Sequence, residues 1–128
     1  MFMKKILLIL CISVLLVGCS NNKDLVEKKD TMIKVDEVYS LLEKDEIILI
    51  DVRTVQEYHS GHIDGAMSIP LDTLNEISSL EIEKDSKIVV YCRSGNRSKT
   101  ALQTLIDMGY SDVYDMGGIE SWPYDLVQ

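Results

Sequence analysis

Two short apolar runs constrain the fold of this chain more than any other feature. The first covers residues 47–50, and the second covers residues 87–91 and ends at a polar loop. β-branched residues dominate both runs, and neither shows the polar alternation of a half-exposed strand. Such runs are typical of strands buried on both faces of a parallel sheet. Parallel neighbours require crossover connections, so we expect helices to pack on the sheet.

Helical periodicity occurs on either side of these runs. Apolar residues recur at helical spacing behind Asp36, and the same pattern begins again near Ser98 and stops at Gly109, a typical helix terminator. We predict shorter strands at residues 66–69 and 112–114, and helical turns at residues 55–59, 71–80 and 118–122. Alternating strands and helices predict an α/β domain with a central, mainly parallel sheet. The chain of 128 residues has room for one such core.

The first 19 residues form a separate segment. Lys4 and Lys5 precede an apolar run over residues 6–17, and the run ends in Leu16-Val17-Gly18-Cys19. This run is too short for a membrane span, which needs about 20 apolar residues. The ending resembles the lipobox of bacterial lipoproteins, in which the cysteine receives a lipid. We expect residues 1–18 to be a signal peptide and Cys19 to anchor the protein outside the bacterial cytoplasmic membrane.

The alternative for this segment is an ordinary secreted protein that is cleaved nearby, with Cys19 uninvolved. The polar stretch that directly follows Cys19 favours the anchor. Residues 19–31 are polar and charged, so we predict a flexible tether there and a folded domain over residues 32–128.

Acidic residues dominate the charge, with 21 Asp and Glu against 13 Lys and Arg, for a net charge of −8. Removal of residues 1–18, which include Lys4 and Lys5 and no acid, would make the remainder more acidic still. A surface of this sign repels phosphate backbones, so no nucleic-acid partner is expected.

Cys92 is the candidate nucleophile. Cys11 lies in the predicted signal and Cys19 at the predicted anchor, which leaves Cys92 as the lone cysteine of the predicted domain. It follows the second buried run, where ligands bind in open α/β sheets. The next helix directs its unpaired N–H groups and its positive dipole end toward the same loop. These groups lower the pKa of a nearby thiol and favour a reactive thiolate.

The loop after Cys92 strengthens this interpretation. Arg93 and Arg97 supply positive charge, Gly95 lets the loop curl, and Asn96 tolerates a left-handed backbone. A buried, inert cysteine is the alternative, but such a thiol gains nothing from flanking guanidinium groups. Surface ion pairing remains an alternative for the arginines.

Several motifs in fixed order resemble the rhodanese family between about residues 33 and 122. They are Asp51-Val52-Arg53, Glu57-Tyr58, Gly61-His62-Ile63-Asp64-Gly65-Ala66, Ile69-Pro70, Tyr91-Cys92-Arg93-Ser94-Gly95-Asn96-Arg97-Ser98 and Gly117-Gly118-Ile119-Glu120-Ser121-Trp122. The resemblance implies a three-layer α/β/α sandwich around a mainly parallel five-stranded sheet. It also implies transfer of sulfane sulfur through a cysteine persulfide, with no metal and no organic cofactor.

The resemblance implies a sulfurtransferase of the thiosulfate type. Cys92 would take sulfur from thiosulfate or a similar small donor and pass it to a thiol, to cyanide or to a protein thiol. Arg93 would hold the donor, and Arg97 and the loop N–H groups would stabilise the sulfur anion. Ser94, Gly95, Asn96 and Ser98 complete the predicted substrate-binding loop. One alternative is a non-enzymatic persulfide carrier or redox-interaction module. A cysteine-dependent phosphatase is less favoured, because related phosphatases have one residue more between cysteine and arginine than the four seen here.

Other polar residues are predicted to support the site. Asp51 and Arg53 follow the first buried run and should emerge at the same sheet edge as Cys92. We expect Asp51 to hold the wall of the site by an ion pair or hydrogen bonds, and Arg53 is a weaker candidate that could add positive field. We expect His59 and His62 to have structural roles, and one domain cysteine with two histidines argues against a zinc site.

Overall fold

A computed structural model describes residues 29–128. The predicted signal peptide, Cys19 and residues 20–28 of the predicted tether lie outside the described residues. In chain order the elements are helix α1 (Val35–Glu43), strand β1 (Ile48–Asp51), helix α2 (Val55–Ser60), strand β2 (Met67–Ser68), a 3₁₀ helix (Leu71–Leu80), strand β3 (Lys87–Cys92), helix α3 (Asn96–Asp107), strand β4 (Asp112–Gly118) and a second 3₁₀ helix (Ile119–Ser121).

The four strands form one parallel sheet in the order β2-β1-β3-β4. The two buried runs are neighbours at its centre, with Ile50 opposite Val90. Both central strands are covered on both faces, which explains their continuous apolar sequence. The predicted α/β architecture with a parallel sheet is therefore confirmed.

The described residues contain four strands, whereas five were predicted. Beyond β4 the sheet has only a one-residue bridge from Met32 to Asp115. The Ile33 N–H donates to Asp115 O at 3.1 Å, and the Asp115 N–H donates to Thr31 O at 2.8 Å. Helix α1 begins at Val35, so the chain turns away before the pairing can extend.

The last residues of the predicted tether lie against the same edge. Lys29 Nζ is 2.8 Å from Asp112 Oδ1 and lies 4.7 Å from the ring centroid of Tyr114. Lys29 and Thr31 thus contact β4.

Two apolar cores lie on opposite faces of the sheet. On one face, Ile50 and Val90 pack with Leu105 of α3 and Leu74 of the first 3₁₀ helix. On the other face, Leu49, Val89 and Tyr91 pack with residues of α1, including the fully buried Val38. Alternate residues of each central strand therefore serve opposite cores. None of the helices formed by residues 29–128 is long and apolar enough to span a bilayer.

Two element boundaries near the end of β3 differ from the prediction. Helix α3 begins at Asn96, two residues early, because Gly95 adopts a left-handed conformation directly before it. Strand β4 continues to Gly118, beyond the predicted end at residue 114. A bulge shifts its register, so that Val90 pairs with Asp115 but Tyr91 pairs with Gly117. The bulge brings the Gly117-Gly118 pair beside the loop that follows Cys92.

Candidate active site

Cys92 ends strand β3 at the carboxyl edge of the sheet. Its side chain is buried, at 1% relative exposure, and it is a free thiol. The Gly95 N–H donates to Cys92 Sγ at 3.0 Å, and Ser98 Oγ lies 3.6 Å from the same sulfur. The loop and the first turn of α3 therefore surround the sulfur with hydrogen-bonding groups.

These donors outweigh the effect of burial on the thiol. Burial by itself would raise the pKa of Cys92, because it disfavours the charged form. Hydrogen bonding with the Ser98 side chain and with the N–H groups of Ser98, Gly95 and Ser94 acts in the opposite direction and lowers the pKa. The net result is a pKa of the Cys92 thiol below its ordinary value. The site thus favours the nucleophilic thiolate.

Two glycines make the tight loop possible. Gly95 has φ of 99°, a left-handed conformation that residues other than glycine rarely adopt. Gly118 has an ordinary φ, but a Cβ there would lie 2.4 Å from the Arg93 carbonyl oxygen. The end of β4 can therefore approach the loop only with glycine at position 118. Asn96 was expected to accept a left-handed backbone, but it is the first residue of α3 and Gly95 takes that conformation.

Glu57 holds Arg97, a contact that the sequence did not suggest. Arg97 Nη1 and Nη2 donate to the two carboxylate oxygens of Glu57 at 2.7 and 2.9 Å. Glu57 also accepts the Thr54 N–H at 2.8 Å, and its own N–H donates to Thr54 Oγ1, which completes a capping box at the start of α2. The Thr-x-x-Glu pattern could have indicated the cap but not the partner on α3.

The ion pair strongly shifts the titration of Glu57. Hydrogen bonding to Arg97 is the largest cause, and the Thr54 N–H adds to it, so the pKa of Glu57 falls to about 2. The same contact raises the pKa of Arg97, to which the negative charge of Cys92 contributes less. Arg97 is thus fixed beside the loop by Glu57, while the backbone N–H groups and Ser98 contact the sulfur.

Replacing Glu57 with glutamine is expected to destabilise the domain at neutral pH by roughly 1–2 kcal/mol, a figure reduced from the full shift because the pair is partly exposed. A pKa that is lower in the folded state adds stability above the unfolded-state pKa of about 4.3. That stability is lost as pH falls toward 2. The difference between wild type and variant in the free energy of unfolding by urea should therefore shrink between pH 5 and about 2. Glu46→Gln, at an exposed position, is the control and should show a difference near zero throughout.

The arginine at the start of the loop is exposed. The Arg93 side chain is 70% exposed, and its Nε lies 3.6 Å from Glu120 Oε1. Ser94 and Asn96 are exposed as well. Arg93 is therefore available to solutes at the outer side of the loop, whereas Arg97 is held against Glu57.

Asp51 and Arg53 form a buried ion pair at the neighbouring strand end. Arg53 Nη2 donates to Asp51 Oδ2 at 2.7 Å and to Gly61 O at 2.7 Å, and Arg53 Nε donates to Asp51 Oδ1 at 3.0 Å. Tyr91 contributes a contact missed in the sequence, since its hydroxyl donates to Asp51 Oδ2 at 2.7 Å and accepts the Ile63 N–H at 3.2 Å. Burial and the Asp51 carboxylate raise the pKa of Tyr91. This network ties β1 to the residue directly before Cys92.

The histidines make other contacts. His62 Nδ1 lies 2.9 Å from Tyr58 O, and the two rings stack at 3.6 Å. His59 is exposed on α2. Within residues 29–128 no group of three or more His, Cys, Asp or Glu side chains is placed to hold a metal ion.

Fold and site together define a small α/β protein with a buried free cysteine in a strand–loop–helix cradle. The chain belongs to the rhodanese family, since the model for the rhodanese-like domain matches residues 34–124.

Curated relatives and solved structures are similar over the same part of the chain. A tRNA uridine(34) hydroxylase of Erwinia tasmaniensis is 37% identical over 91 residues, 67% of this chain and 26% of that protein. An adenylyltransferase and sulfurtransferase, uba4, of Ogataea parapolymorpha is 34% identical over 97 residues, 66% of this chain and 25% of that protein. The structure of the human single-domain sulfurtransferase TSTD1 aligns with a TM-score of 0.64 at 26% identity and covers 72% of this chain and 94% of that one. The chain thus spans about a quarter of the length of these two curated relatives.

Proposed function

We propose that this protein is a sulfurtransferase that moves sulfane sulfur from thiosulfate or a similar donor to a thiol or cyanide through a persulfide on Cys92. The observation that carries the proposal is the cradle around Cys92 Sγ, where the Gly95 N–H donates at 3.0 Å and the thiol pKa is lowered. Membership of the rhodanese family supports it, as do the sulfurtransferase names of two similar proteins.

The first half-reaction loads the cysteine. The Cys92 thiolate attacks the outer sulfur of thiosulfate, a new S–S bond forms, and the bond to the central sulfur breaks. Sulfite leaves with the electron pair of that bond, so no external oxidant or reductant is needed. The exposed guanidinium of Arg93 is suited to hold the sulfonate oxygens of the donor. The loop N–H groups would then stabilise the persulfide anion.

The second half-reaction removes the outer sulfur from the Cys92 persulfide. An acceptor thiolate or cyanide attacks the outer sulfur, and the Cys92 thiolate leaves with the electron pair of the S–S bond. A preformed thiolate needs no general base. This agrees with the position of His62, which contacts Tyr58 and not the sulfur.

Intact-protein mass spectrometry tests the persulfide directly. Incubation of the full chain with thiosulfate should add the mass of one sulfur atom at Cys92, and later addition of cyanide should remove it and release thiocyanate. A protein that gains no sulfur would contradict the proposal. Sulfur gained but not turned over with small acceptors would favour the persulfide carrier. Hydrolysis of an aryl phosphate by wild type, but not by Cys92→Ser, would favour the phosphatase.

We further propose that Cys19 carries a lipid that anchors the domain outside the bacterial cytoplasmic membrane. The support is the basic, apolar and lipobox order of residues 1–19. Cys19→Ser in cells should shift the protein from the membrane fraction to the soluble fraction and remove the lipid mass from the N-terminal peptide. An unchanged membrane fraction would contradict the anchor.

A further inference from the structure

A groove lies beside Arg97, in the first turn of α3, and runs along the segments that follow β1 and β2. One cavity of about 330 Å³ is bounded by Arg97 and by the segments after β1 and β2. A second cavity of about 510 Å³ continues along the first 3₁₀ helix. The two cavities share Thr54, Pro70 and Asp72 and so form one groove that leads away from Arg97.

The groove is larger than a small sulfur donor requires. Thiosulfate has five heavy atoms, whereas cavities of about 300–1,000 Å³ accommodate ligands of drug size. Its second half is bordered by the apolar side chains of Val55 and Leu80, which are 53% and 46% exposed. Ser68 also lines it, and its Oγ lies buried beneath this surface with no hydrogen-bond partner among the described residues. The groove therefore offers apolar contacts to a ligand beyond the reacting sulfur.

The charged groups of the groove that form no ion pair are negative. Asp72 and Glu76 line it, and neither carboxylate forms an ion pair or side-chain hydrogen bond with the residues that the structure describes. The two arginines in its wall are already neutralised, because Arg53 pairs with Asp51 and Arg97 pairs with Glu57. Two uncompensated carboxylates thus remain, and they disfavour acidic thiols of low molecular weight.

We propose that this groove binds the sulfur acceptor, and that the acceptor is a protein segment whose cysteine is flanked by apolar and basic residues. The proposal rests on the sulfurtransferase function proposed above and names its acceptor class. Apolar side chains of the segment contact Val55 and Leu80, and its Lys or Arg residues lie beside Asp72 and Glu76. The cysteine of the segment then reaches the Cys92 persulfide past Arg97.

The transfer step conserves atoms and electrons. The acceptor thiolate attacks the outer sulfur of the Cys92 persulfide and forms a new S–S bond. The bond between that sulfur and Cys92 Sγ breaks, its electron pair returns to Cys92 as a thiolate, and the acceptor leaves as a persulfide. The reaction needs no further co-reactant.

Competition between two peptide thiols tests the groove. Both synthetic hexapeptides contain one cysteine and one leucine, and they differ only in two lysines against two glutamates. The full chain, loaded with thiosulfate, should transfer sulfur to the lysine peptide about tenfold faster than to the glutamate peptide at low salt. The double variant Asp72→Asn with Glu76→Gln should lower this ratio severalfold. Comparing the ratio between proteins cancels the intrinsic reactivity of the two peptide thiols.

A matched pair on the opposite face controls for net charge. Glu37→Gln with Glu43→Gln on α1 removes the same two charges from exposed positions. This variant should keep the wild-type ratio. The groove proposal is wrong if the ratio is unchanged in the groove variant or falls equally in the control. In either case, continued turnover with cyanide would still support the proposed sulfurtransferase function. Failure of the wild type to form a persulfide overturns both proposals.

Discussion

Replacing Cys92 with serine is expected to lower thiosulfate-to-cyanide sulfur transfer by about three orders of magnitude or more. A serine hydroxyl is not ionised in this cradle at neutral pH and forms no persulfide. The substitution exchanges one atom at a buried position, so the fold should persist. Thiocyanate release measures the turnover, and circular dichroism with urea unfolding checks the fold. A folded serine variant with wild-type turnover would contradict the assignment of Cys92.

Ser98→Ala is the graded companion of this test. The Ser98 hydroxyl lies 3.6 Å from Cys92 Sγ and helps to lower the pKa of the thiol. Its removal should raise that pKa, so the pH midpoint of alkylation by iodoacetamide should move upward. Transfer should fall below the midpoint and recover above it, whereas the serine variant stays inactive at every pH. An unchanged midpoint would show that the backbone N–H groups alone lower the pKa of the Cys92 thiol.

Replacing Asp51 with asparagine is expected to cost about 3–5 kcal/mol of unfolding free energy. The side chain of Asp51 is fully buried, and that of Arg53 is 7% exposed, so the variant leaves an uncompensated guanidinium inside the domain. Asparagine also weakens the acceptor of the Tyr91 hydroxyl. Typical domains have only about 5–15 kcal/mol of stability, so the loss would be a large fraction of it. Urea unfolding, followed by the fluorescence of Trp122, measures it.

Asp112→Asn is the matched control for the buried pair. Asp112 pairs with Lys29 at 2.8 Å, but its side chain is 27% exposed, and its loss should cost less than about 1 kcal/mol. Adding Arg53→Met to Asp51→Asn should recover part of the loss, because the buried charge is then gone. Equal losses for Asp51→Asn and Asp112→Asn would show that burial does not set the value of this ion pair.

Much of the site follows from neighbours in the sequence. The apolar run before Cys92 predicts a buried strand, and the helical pattern after it predicts a helix N-terminus at the loop. Both exist, in β3 and α3, because local periodicity reflects which faces of a segment are buried. The sequence marked Gly95 and Asn96 as two neighbours that both permit an unusual backbone, and Gly95 is the one that adopts the left-handed conformation.

Contacts between residues far apart in the chain could not be predicted from local sequence patterns. Glu57 and Arg97 are 40 residues apart, as are Asp51 and Tyr91. A capping pattern at Thr54 indicates what Glu57 does within α2 but not which residue faces it across the sheet edge. These partners depend on the order β2-β1-β3-β4 and on the strand register.

Local sequence patterns predict the parallel α/β plan, the position of Cys92 at a strand end and the glycine within its loop, because each depends on residues close together in the chain. The number of strands, the pairing of Arg97 with Glu57 and the need for glycine at position 118, where a Cβ would clash with the Arg93 carbonyl oxygen, follow from the folded arrangement of the segments. Those features arise where separate segments meet, and the geometry of that meeting is set by the packing of the whole sheet.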